Sequence, residues 1–260
     1  MIDLVFNRSL SPKRRWKHFI YYSLRIWVVP LLSIVLRMRI FGLKNIPRSG
    51  GALVISNHIH NADPFLIVSG CSRPVSFMAK YEIWDVPVVR WIADQTGAFP
   101  VKRGTADRTA LRIAQEKLKS GMLVGVFPEG TRSVAGLTKG FRGVSMIATL
   151  TGAPLIPTGI VGTHDLPGNG SKQQKRSKLW PKVNLVFGEP FHLDTHKPDG
   201  TRWTQEDHAE AMMLEIAKVL PVSYRGIYTD RADETHPAVN RSNVQFLEPE
   251  PKSLFAWLRG

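Results

Sequence analysis

The sequence predicts an α/β fold with a mostly parallel central sheet that is flanked by helices. Short, almost continuously apolar runs have the length and composition of strands buried on both faces. They lie at Ala52–Ser56, Val75–Ala79, Ala98–Val101, Met122–Phe127, Leu155–Val161 and Val183–Phe187. Helical segments separate several of these runs, and this alternation is typical of a parallel sheet with crossover helices.

Two helices and one loop have clear sequence signals. A helix is predicted over Thr105–Ser120, because Thr105 is a suitable N-cap, Gly121 is a suitable stop, and one face carries Ala110, Leu111, Ala114 and Leu118. A later helix is expected at about Thr204–Leu220. The segment Gly162–Trp180 is rich in Gly, Lys, Gln and Ser, which predicts a mobile surface loop with a basic face.

Composition limits the classes of protein and of partner. With 260 residues and 43% hydrophobic residues, the chain can bury a sizeable core, which excludes a disordered protein. The net charge of +14 favours an anionic partner, namely nucleic acid, a phospholipid surface or a phosphorylated substrate. The single cysteine, Cys71, excludes an intramolecular disulfide and fits a reducing compartment. We interpret it as a small core residue.

A membrane-anchoring segment is predicted at residues 1–38. An apolar run over 19–36 is flanked by basic residues, with Lys13, Arg14, Arg15 and Lys17 before it and Arg37 and Arg39 after it. Arg25 and Pro30 disfavour a simple spanning helix, whereas the flanking cations and aromatic rings suit the lipid headgroup level. We expect two short helices, hinged near Pro30, that dip into one leaflet. A buried amphipathic hairpin of a soluble protein is the alternative.

The domain organisation follows from these segments. The α/β domain is predicted at residues 39–220. Residues 221–260 form a tail that is rich in charge and proline. The sequence does not place this tail.

The stretch Asn57–Phe65 holds a histidine and a carboxylate, His58 and Asp63, five positions apart. On a continuous helix they would point about 140° apart, and on a strand they would lie roughly 16 Å apart on opposite faces. Contact between them therefore requires a chain reversal. The Asn and Asp residues here favour turns and helix starts, and Pro64 suits the first turn of a helix. Strand, turn and helix are the expected local order.

This pair has the chemistry of a general base. A carboxylate fixes the tautomer of a histidine and stabilises its imidazolium, so the ring can accept a proton from a hydroxyl near neutral pH. In the alternative, Asp63 only caps a helix and His58 makes a loop hydrogen bond. Zinc held by His58, His60 and Asp63 is a second alternative, but the chain has one cysteine and no predicted helix with a His-x3-His pattern to complete such a site. We expect no metal.

Two further strand ends carry polar residues, and ligands of open α/β sheets bind at strand ends. Lys102 and Arg103 follow one apolar run and can meet a phosphate with charged donors near the next helix. After another run, Glu129 can accept a hydrogen bond from a substrate hydroxyl while Arg132 binds phosphate oxygen. The alternatives are solvated basic residues and a surface Glu129–Arg132 ion pair worth about 0–1 kcal/mol.

These stretches carry a family resemblance. In order, Asn57-His58-x4-Asp63, Phe99–Arg103, Phe127–Ser133 and Pro154–Pro157 resemble the four motifs of the glycerolipid acyltransferase family, bacterial 1-acyl-sn-glycerol-3-phosphate acyltransferase type. The resemblance extends loosely over residues 40–220. Pro100 departs from the second motif, where apolar residues are more usual, so the strand alignment there is uncertain by one residue.

The resemblance implies acyl transfer from acyl-CoA or acyl carrier protein, as co-substrate, to the 2-hydroxyl of lysophosphatidic acid, giving phosphatidic acid. His58 would be the base and Asp63 its orienting partner. The expected substrate-binding residues are Lys102, Arg103, Glu129, Gly130, Thr131 and Arg132. Pro157 would be structural and line the acyl-donor side. No bound cofactor is expected, and the protein would be monotopic at the cytoplasmic face of the cytoplasmic membrane, among anionic lipids.

Other functions stay open from sequence alone. Glycerol 3-phosphate or another lysolipid would use similar acceptor chemistry. A non-catalytic module that binds anionic lipid explains the charge and the N-terminal segment without any reaction. Nucleic-acid binding is suggested only by charge and has no motif, so we expect none. Because a thioester is already activated, no covalent intermediate at Cys71 is needed.

Overall fold

The protein, represented by a computed structural model, is described at residues 26–102, 107–167, 181–242 and 244. Across these residues the main sheet has seven strands in the order β1-β7-β6-β2-β5-β3-β4. Their bounds are β1 Arg39–Phe41, β2 Ala52–Ser56, β3 Val75–Lys80, β4 Phe99–Val101, β5 Leu123–Val126, β6 Leu155–Val161 and β7 Asn184–Phe187. Neighbouring strands are parallel except β6 and β7.

Helices flank the sheet. They are α1 at residues 26–35, α2 Asp63–Gly70, α3 Pro87–Thr96, α4 Arg108–Lys119, α5 Arg142–Thr151 and α6 Gln205–Lys218. The α/β fold with a mostly parallel sheet, predicted from the sequence, is therefore confirmed. The predicted strands agree closely with the observed ones, and the bounds of β2 and β6 coincide with the prediction.

The direction of the strands defines a functional edge. Strands β2 to β6 run parallel and end at one edge, which we call the carboxyl edge. Because β7 is antiparallel to β6 and β1 is parallel to β7, both of these strands begin at the carboxyl edge. Residues near the start of β1 and β7 therefore share an edge with residues that follow β2 and β5.

Strand β2 shows why the sheet strands lack polar alternation. Leu53 and Ile55 point into one buried apolar cluster, and Ala52 and Val54 point into the other. Both faces of the strand are covered, so both sets of alternating side chains are apolar. The hydrophobic core thus lies in two layers, one on each side of the sheet.

The start of α4 differs from the prediction. Asp107, not Thr105, is the N-cap, and its side chain accepts a hydrogen bond from the backbone N–H of Ala110 at 3.0 Å. The helix begins at Arg108 because an aspartate in this position satisfies a free N–H of the first turn. Thr105 lies outside the described residues.

The predicted N-terminal pair of short helices is not shown by the described residues. Residues 1–25 lie outside the described part of the chain, and residues 26–35 are helical on both sides of Pro30. Val29, Leu32 and Leu36 pack on the core and hold the helix where proline removes one hydrogen bond. Among the described helices, none has both the length and the apolar character needed to cross a membrane.

The chain beyond Leu220 continues on the same body as far as it is described. A two-stranded sheet pairs β8 His192–Leu193 with β9 Val239–Asn240 in antiparallel fashion. Tyr228 and Ala238 are buried, and the Tyr228 hydroxyl donates to Glu210 Oε2 at 3.2 Å. The sequence did not place this segment. Residues 245–260, the end of the predicted tail, lie outside the description.

Helix α6 should depend measurably on its N-terminal cap. Thr204 Oγ1 accepts from the Asp207 N–H at 3.1 Å, and Asp207 Oδ2 accepts from the Thr204 N–H at 3.0 Å. We expect Thr204→Ala to lower the free energy of unfolding by about 1 kcal/mol. Chemical denaturation measures this loss, with Thr204→Ser as the control that keeps the hydroxyl acceptor. Equal stability of the alanine and serine variants would contradict the prediction.

Candidate active site

A strand, a turn and a helix form the centre of the site, as predicted. Strand β2 ends at Ser56, and α2 begins at Asp63. Asn57 fastens the intervening turn to β6, because its Nδ2 donates to the Ile160 carbonyl at 2.9 Å and its Oδ1 accepts from the Ile160 N–H at 2.8 Å. This pairing fixes the backbone just before His58.

His58 and Asp63 are in direct contact. His58 Nδ1 lies 2.9 Å from Asp63 Oδ2, which confirms the predicted meeting of the two side chains. The same Oδ2 accepts from the backbone N–H groups of Ile59 at 2.6 Å and His60 at 2.7 Å. The Asp63 carboxylate is buried, so these donors replace water around its charge. Asp63 therefore organises the turn rather than acting only as a helix cap.

An aromatic stack fixes the plane of the His58 ring. The ring lies on Phe127 with 4.0 Å between centroids and 15° between planes, and Phe127 stacks on Phe77 at 5.2 Å. With Nδ1 engaged by Asp63, the ring nitrogen left for a substrate is Nε2. The stack also accounts for Gly125, since a Cβ there would lie 2.6 Å from the Phe77 ring.

The turn after β5 is tied to the turn after β2. Glu129 Oε1 accepts from the His58 N–H at 3.3 Å, and Oε2 accepts from the N–H and hydroxyl of Thr138 at 2.9 and 3.0 Å. The Ser133 N–H donates to the His58 carbonyl at 2.8 Å. Glu129 is only 2% exposed, so its carboxylate supports the backbone of His58 from below the surface.

Gly130, Thr131 and Arg132 complete this turn. Gly130 has φ of +63°, and a Cβ there would approach the Phe141 ring to 2.8 Å, so both conformation and space favour glycine. Thr131 and Arg132 are exposed. The predicted residues of the third motif are thus brought together beside His58.

The remaining predicted site residues lie farther away. Lys102 follows β4, which is three strands from β2, a separation of roughly 14 Å at about 4.8 Å per strand. Arg103 lies outside the described residues. Pro157 is buried inside β6 opposite Ile55, two positions into the strand from its start. None of these placements tests their predicted roles in binding.

Some contacts of the site were not predicted. The stacking of Phe127 on His58, the anchoring role of Asn57 and the bond from Thr138 to Glu129 join parts of the chain that are distant in sequence. For the stacking contact, the only available signal was Phe127 as the last residue of a predicted strand run. No local feature of the sequence identifies Thr138 as a hydrogen-bond partner of Glu129.

His60 is buried next to the pair. Burial lowers its pKa below the ordinary value of 6.5, the Asp63 charge acts in the opposite direction, and the nearby Arg132 cation adds to the lowering. Its Nδ1 accepts from the Ala62 N–H at 3.1 Å, and a hydrogen bond with the Pro167 backbone acts, like the Asp63 charge, to raise the pKa without outweighing burial. His60 is therefore neutral at neutral pH.

The described ranges also bear on the metal and thiol alternatives. No group of three or more His, Cys, Asp or Glu side chains there has an arrangement that could hold a metal ion. Cys71 follows the last residue of α2 and is fully buried. This agrees with its interpretation as a core residue.

Comparison with known proteins identifies the family. Residues 37–161 match the family model described as Acyltransferase. The chain is 30% identical over 184 residues to a chloroplastic 1-acyl-sn-glycerol-3-phosphate acyltransferase of Arabidopsis thaliana, covering 69% of this chain and 50% of the relative. It is 28% identical over 163 residues to the 1-acyl-sn-glycerol-3-phosphate acyltransferase of Bacillus subtilis, covering 62% and 77%.

A solved structure agrees in fold. The crystal structure of the 1-acyl-sn-glycerophosphate acyltransferase PlsC of Thermotoga maritima matches with a TM-score of 0.57 and 27% identity, covering 78% of this chain and 81% of that one. The chain spans about half the length of the plant relatives it matches, at 50% and 48%. The family resemblance stated from the four motifs is confirmed.

The buried His60 should make stability depend on pH. Because its folded pKa lies below 6.5, the unfolded chain binds a proton more readily. The free energy of unfolding should therefore fall as pH decreases below about 6.5. His60→Gln should reduce the pH dependence of the free energy of unfolding between about pH 5 and 7, the range in which an ordinary histidine titrates. Denaturation curves recorded across this range measure the effect.

The exposed His196 provides the control for this prediction. His196→Gln should leave the slope as it is in the native protein. A His60→Gln variant with an undiminished slope would show that His60 does not resist protonation.

Proposed function

The chain belongs to the acyltransferase family, and from this premise we propose that it acylates 1-acyl-sn-glycerol 3-phosphate to form phosphatidic acid. The observation that carries the proposal is the His58–Asp63 contact at 2.9 Å. Its place at the end of β2 is where an open α/β sheet presents ligand-binding groups. Relatives described as 1-acyl-sn-glycerol-3-phosphate acyltransferases support the choice of acceptor, and the contact supports His58 as the base.

In the proposed reaction, His58 Nε2 takes the proton from the 2-hydroxyl of the acceptor. The hydroxyl oxygen attacks the thioester carbonyl, and the C–S bond breaks as the tetrahedral intermediate collapses. The imidazolium, stabilised by Asp63, then returns the proton to the leaving thiolate. The donor is acyl-CoA or acyl carrier protein, and no cofactor takes part. A direct transfer also suits the burial of Cys71, which leaves that thiol out of reach.

The acceptor is proposed to lie along the turn after β5. Arg132 is exposed beside the buried His60 and can donate charged hydrogen bonds to the glycerol phosphate, with Gly130 and Thr131 next to it. Glu129 is assigned a positioning role, because its two oxygens already accept from His58 and Thr138. Lys102 is proposed to contact the part of a substrate that extends farther along the carboxyl edge, and substrate binding by Arg103 stays a proposal from the motif alone.

Membrane attachment is proposed from helix α1. Trp27 and Ile34 are 79% and 70% exposed, and with Leu31 they form an apolar stripe opposite the packed side of the helix. Such a stripe, next to basic residues, suits insertion into one leaflet. We propose a monotopic protein at the cytoplasmic face of the membrane. Residues 1–38 would be the anchor, 39–220 the catalytic domain and 221–260 a tail.

A second candidate function is a non-catalytic module that binds anionic lipid. The exposed stripe of α1 favours it independently of His58. Purified protein in detergent should distinguish the two, when incubated with acyl-CoA and a panel of lysophosphatidic acid, glycerol 3-phosphate and other lysolipids. The proposal expects phosphatidic acid by mass spectrometry, and vesicle binding without any acylated product would favour the module.

Removal of the base should abolish turnover. We expect His58→Ala to lower kcat for acyl transfer by about 10²- to 10⁴-fold, because the hydroxyl loses its proton acceptor. Steady-state assays of acyl-CoA consumption measure this loss, and a thermal melt confirms that the variant is folded. His196→Ala changes an exposed histidine and should keep the native rate. Native turnover by His58→Ala would end the proposed mechanism.

Arg132 should act on acceptor binding. We expect Arg132→Gln to raise the KM for lysophosphatidic acid by about 10- to 100-fold, as for loss of a charged hydrogen bond worth about 1.5–3 kcal/mol. The KM for acyl-CoA should change little. Arg112→Gln is the matched control, since Arg112 is exposed and pairs with Glu116 on the outer side of α4. An equal change in the KM for lysophosphatidic acid in both variants would contradict the assignment of Arg132 to the acceptor site.

A further inference from the structure

A cationic pocket lies at the carboxyl edge, separate from the His58 turn. Arg37, Arg39, Lys182 and Asn184 line a cavity of about 90 Å³, which holds several water molecules or one phosphate group. The three basic side chains are exposed, and Asn184 is half-buried. The motifs of the proposed reaction include none of these residues.

The backbone of the pocket is fixed by strand pairing. The Arg39 N–H donates to the Val183 carbonyl at 2.9 Å, and the Val183 N–H donates to the Leu36 carbonyl at 3.1 Å. Arg39 lies opposite Asn184 where β1 and β7 begin. The pocket is therefore formed by two paired strand starts rather than by a loose surface loop.

Among the described residues, the basic side chains of this cationic pocket have no acidic partner. No hydrogen bond or ion pair of the Arg37, Arg39 or Lys182 side chain occurs within the described ranges. Three like charges around one cavity repel each other, and a bound anion would relieve this repulsion. Asn184 can add a neutral amide donor. This set of donors suits the oxygens of a phosphate ester.

Arg37 is held in an unusual backbone conformation. Its φ of +45° makes it the one described non-glycine residue with positive φ, just after the end of α1. Helices commonly end with glycine in this left-handed conformation because a side chain is disfavoured there. An arginine at this position strains the backbone but places a cation in the pocket. Such strain is characteristic of binding sites.

The location of the cationic pocket indicates the source of the anion. Asn184 is opposite Val161, three residues beyond Thr158, which is opposite Ser56. The pocket is therefore level with the residues after Ser56, and β1 is three strands from β2, roughly 14 Å at about 4.8 Å per strand. The exposed stripe of α1 directly precedes Arg37, so a leaflet that receives this stripe brings its headgroups to the pocket.

We propose that the cationic pocket binds the phosphate of an anionic phospholipid in the bilayer, as a site distinct from the acceptor site at His58. The lipid headgroup holds the carboxyl edge against the membrane while Trp27, Leu31 and Ile34 enter the acyl region. This inference rests on the proposed membrane attachment but not on acyl transfer. Phosphates of a coenzyme A donor share the same chemistry, and the experiment separates the two sources.

The test measures binding of the full chain to vesicles. Native protein is mixed with phosphatidylcholine vesicles that contain either no anionic lipid or phosphatidylglycerol, and the bound fraction is determined by flotation. Arg39→Gln with Lys182→Gln removes two charges from the pocket. The matched control, Lys44→Gln with Lys119→Gln, removes two exposed charges elsewhere on the surface. Acyl transfer in detergent and the KM for acyl-CoA are measured in parallel.

The pocket variant should lose at least five-fold in affinity for anionic vesicles, about 1 kcal/mol at 1.4 kcal/mol per ten-fold. Its binding to neutral vesicles and its KM for acyl-CoA should stay native. The control should bind anionic vesicles as the native protein does. Equal binding by the two variants would overturn the proposal, and so would a raised KM for acyl-CoA, which would assign the pocket to the donor.

The Arg37→Gly variant gives a second test, whose expected result cannot arise from a damaged fold. Glycine removes the backbone strain together with the cation, so the melting temperature should rise while binding to anionic vesicles weakens. A lower melting temperature with unchanged binding would overturn the proposed role of Arg37. Failure of acyl transfer in the native protein would leave these binding results standing.

Discussion

The hydrogen bond between His58 Nδ1 and Asp63 Oδ2 is the interaction on which the site depends. Asp63 can reach the ring only because the chain reverses between β2 and α2, and the same carboxylate oxygen holds two backbone N–H groups of that reversal. One buried charge thus determines both the turn and the orientation of the imidazole. Glu129 supports the same backbone from the neighbouring strand end.

The sheet gives this turn its surroundings. Parallel strands deliver the residues after β2 and β5 to one edge, and the two antiparallel strand starts bring Arg39 and Asn184 to the same edge. In the proposed arrangement, the base, the acceptor-binding arginine and the lipid-binding pocket all face the membrane together. In the same proposal, helix α1, which is packed through Val29 and exposed at Trp27, joins the sheet to the lipid surface.

Local signals were sufficient to predict much of the fold and the chemical centre. The strands follow from short apolar runs, and the His58–Asp63 contact follows from spacing and turn residues. Long-range contacts were not predictable in this way. The pairing of Asn57 with Ile160 joins positions 103 residues apart, and the cationic pocket forms only because β1 pairs with β7. The prediction of Thr105 as the N-cap of α4 was wrong. Thr105 and Asp107 are both suitable cap residues, and only the folded structure shows that Asp107 accepts the hydrogen bond of the first turn.

The most direct test of the central claim is the protonation of the two His58 nitrogens, measured by nitrogen-15 NMR of histidine-labelled protein near neutral pH. The signal is assigned by its absence from a variant that lacks His58. The account predicts a proton on Nδ1, shared with Asp63, and a bare Nε2 that is ready to accept the lipid proton. A neutral ring with its proton on Nε2 would contradict the account, because that nitrogen would then be unable to act as the base.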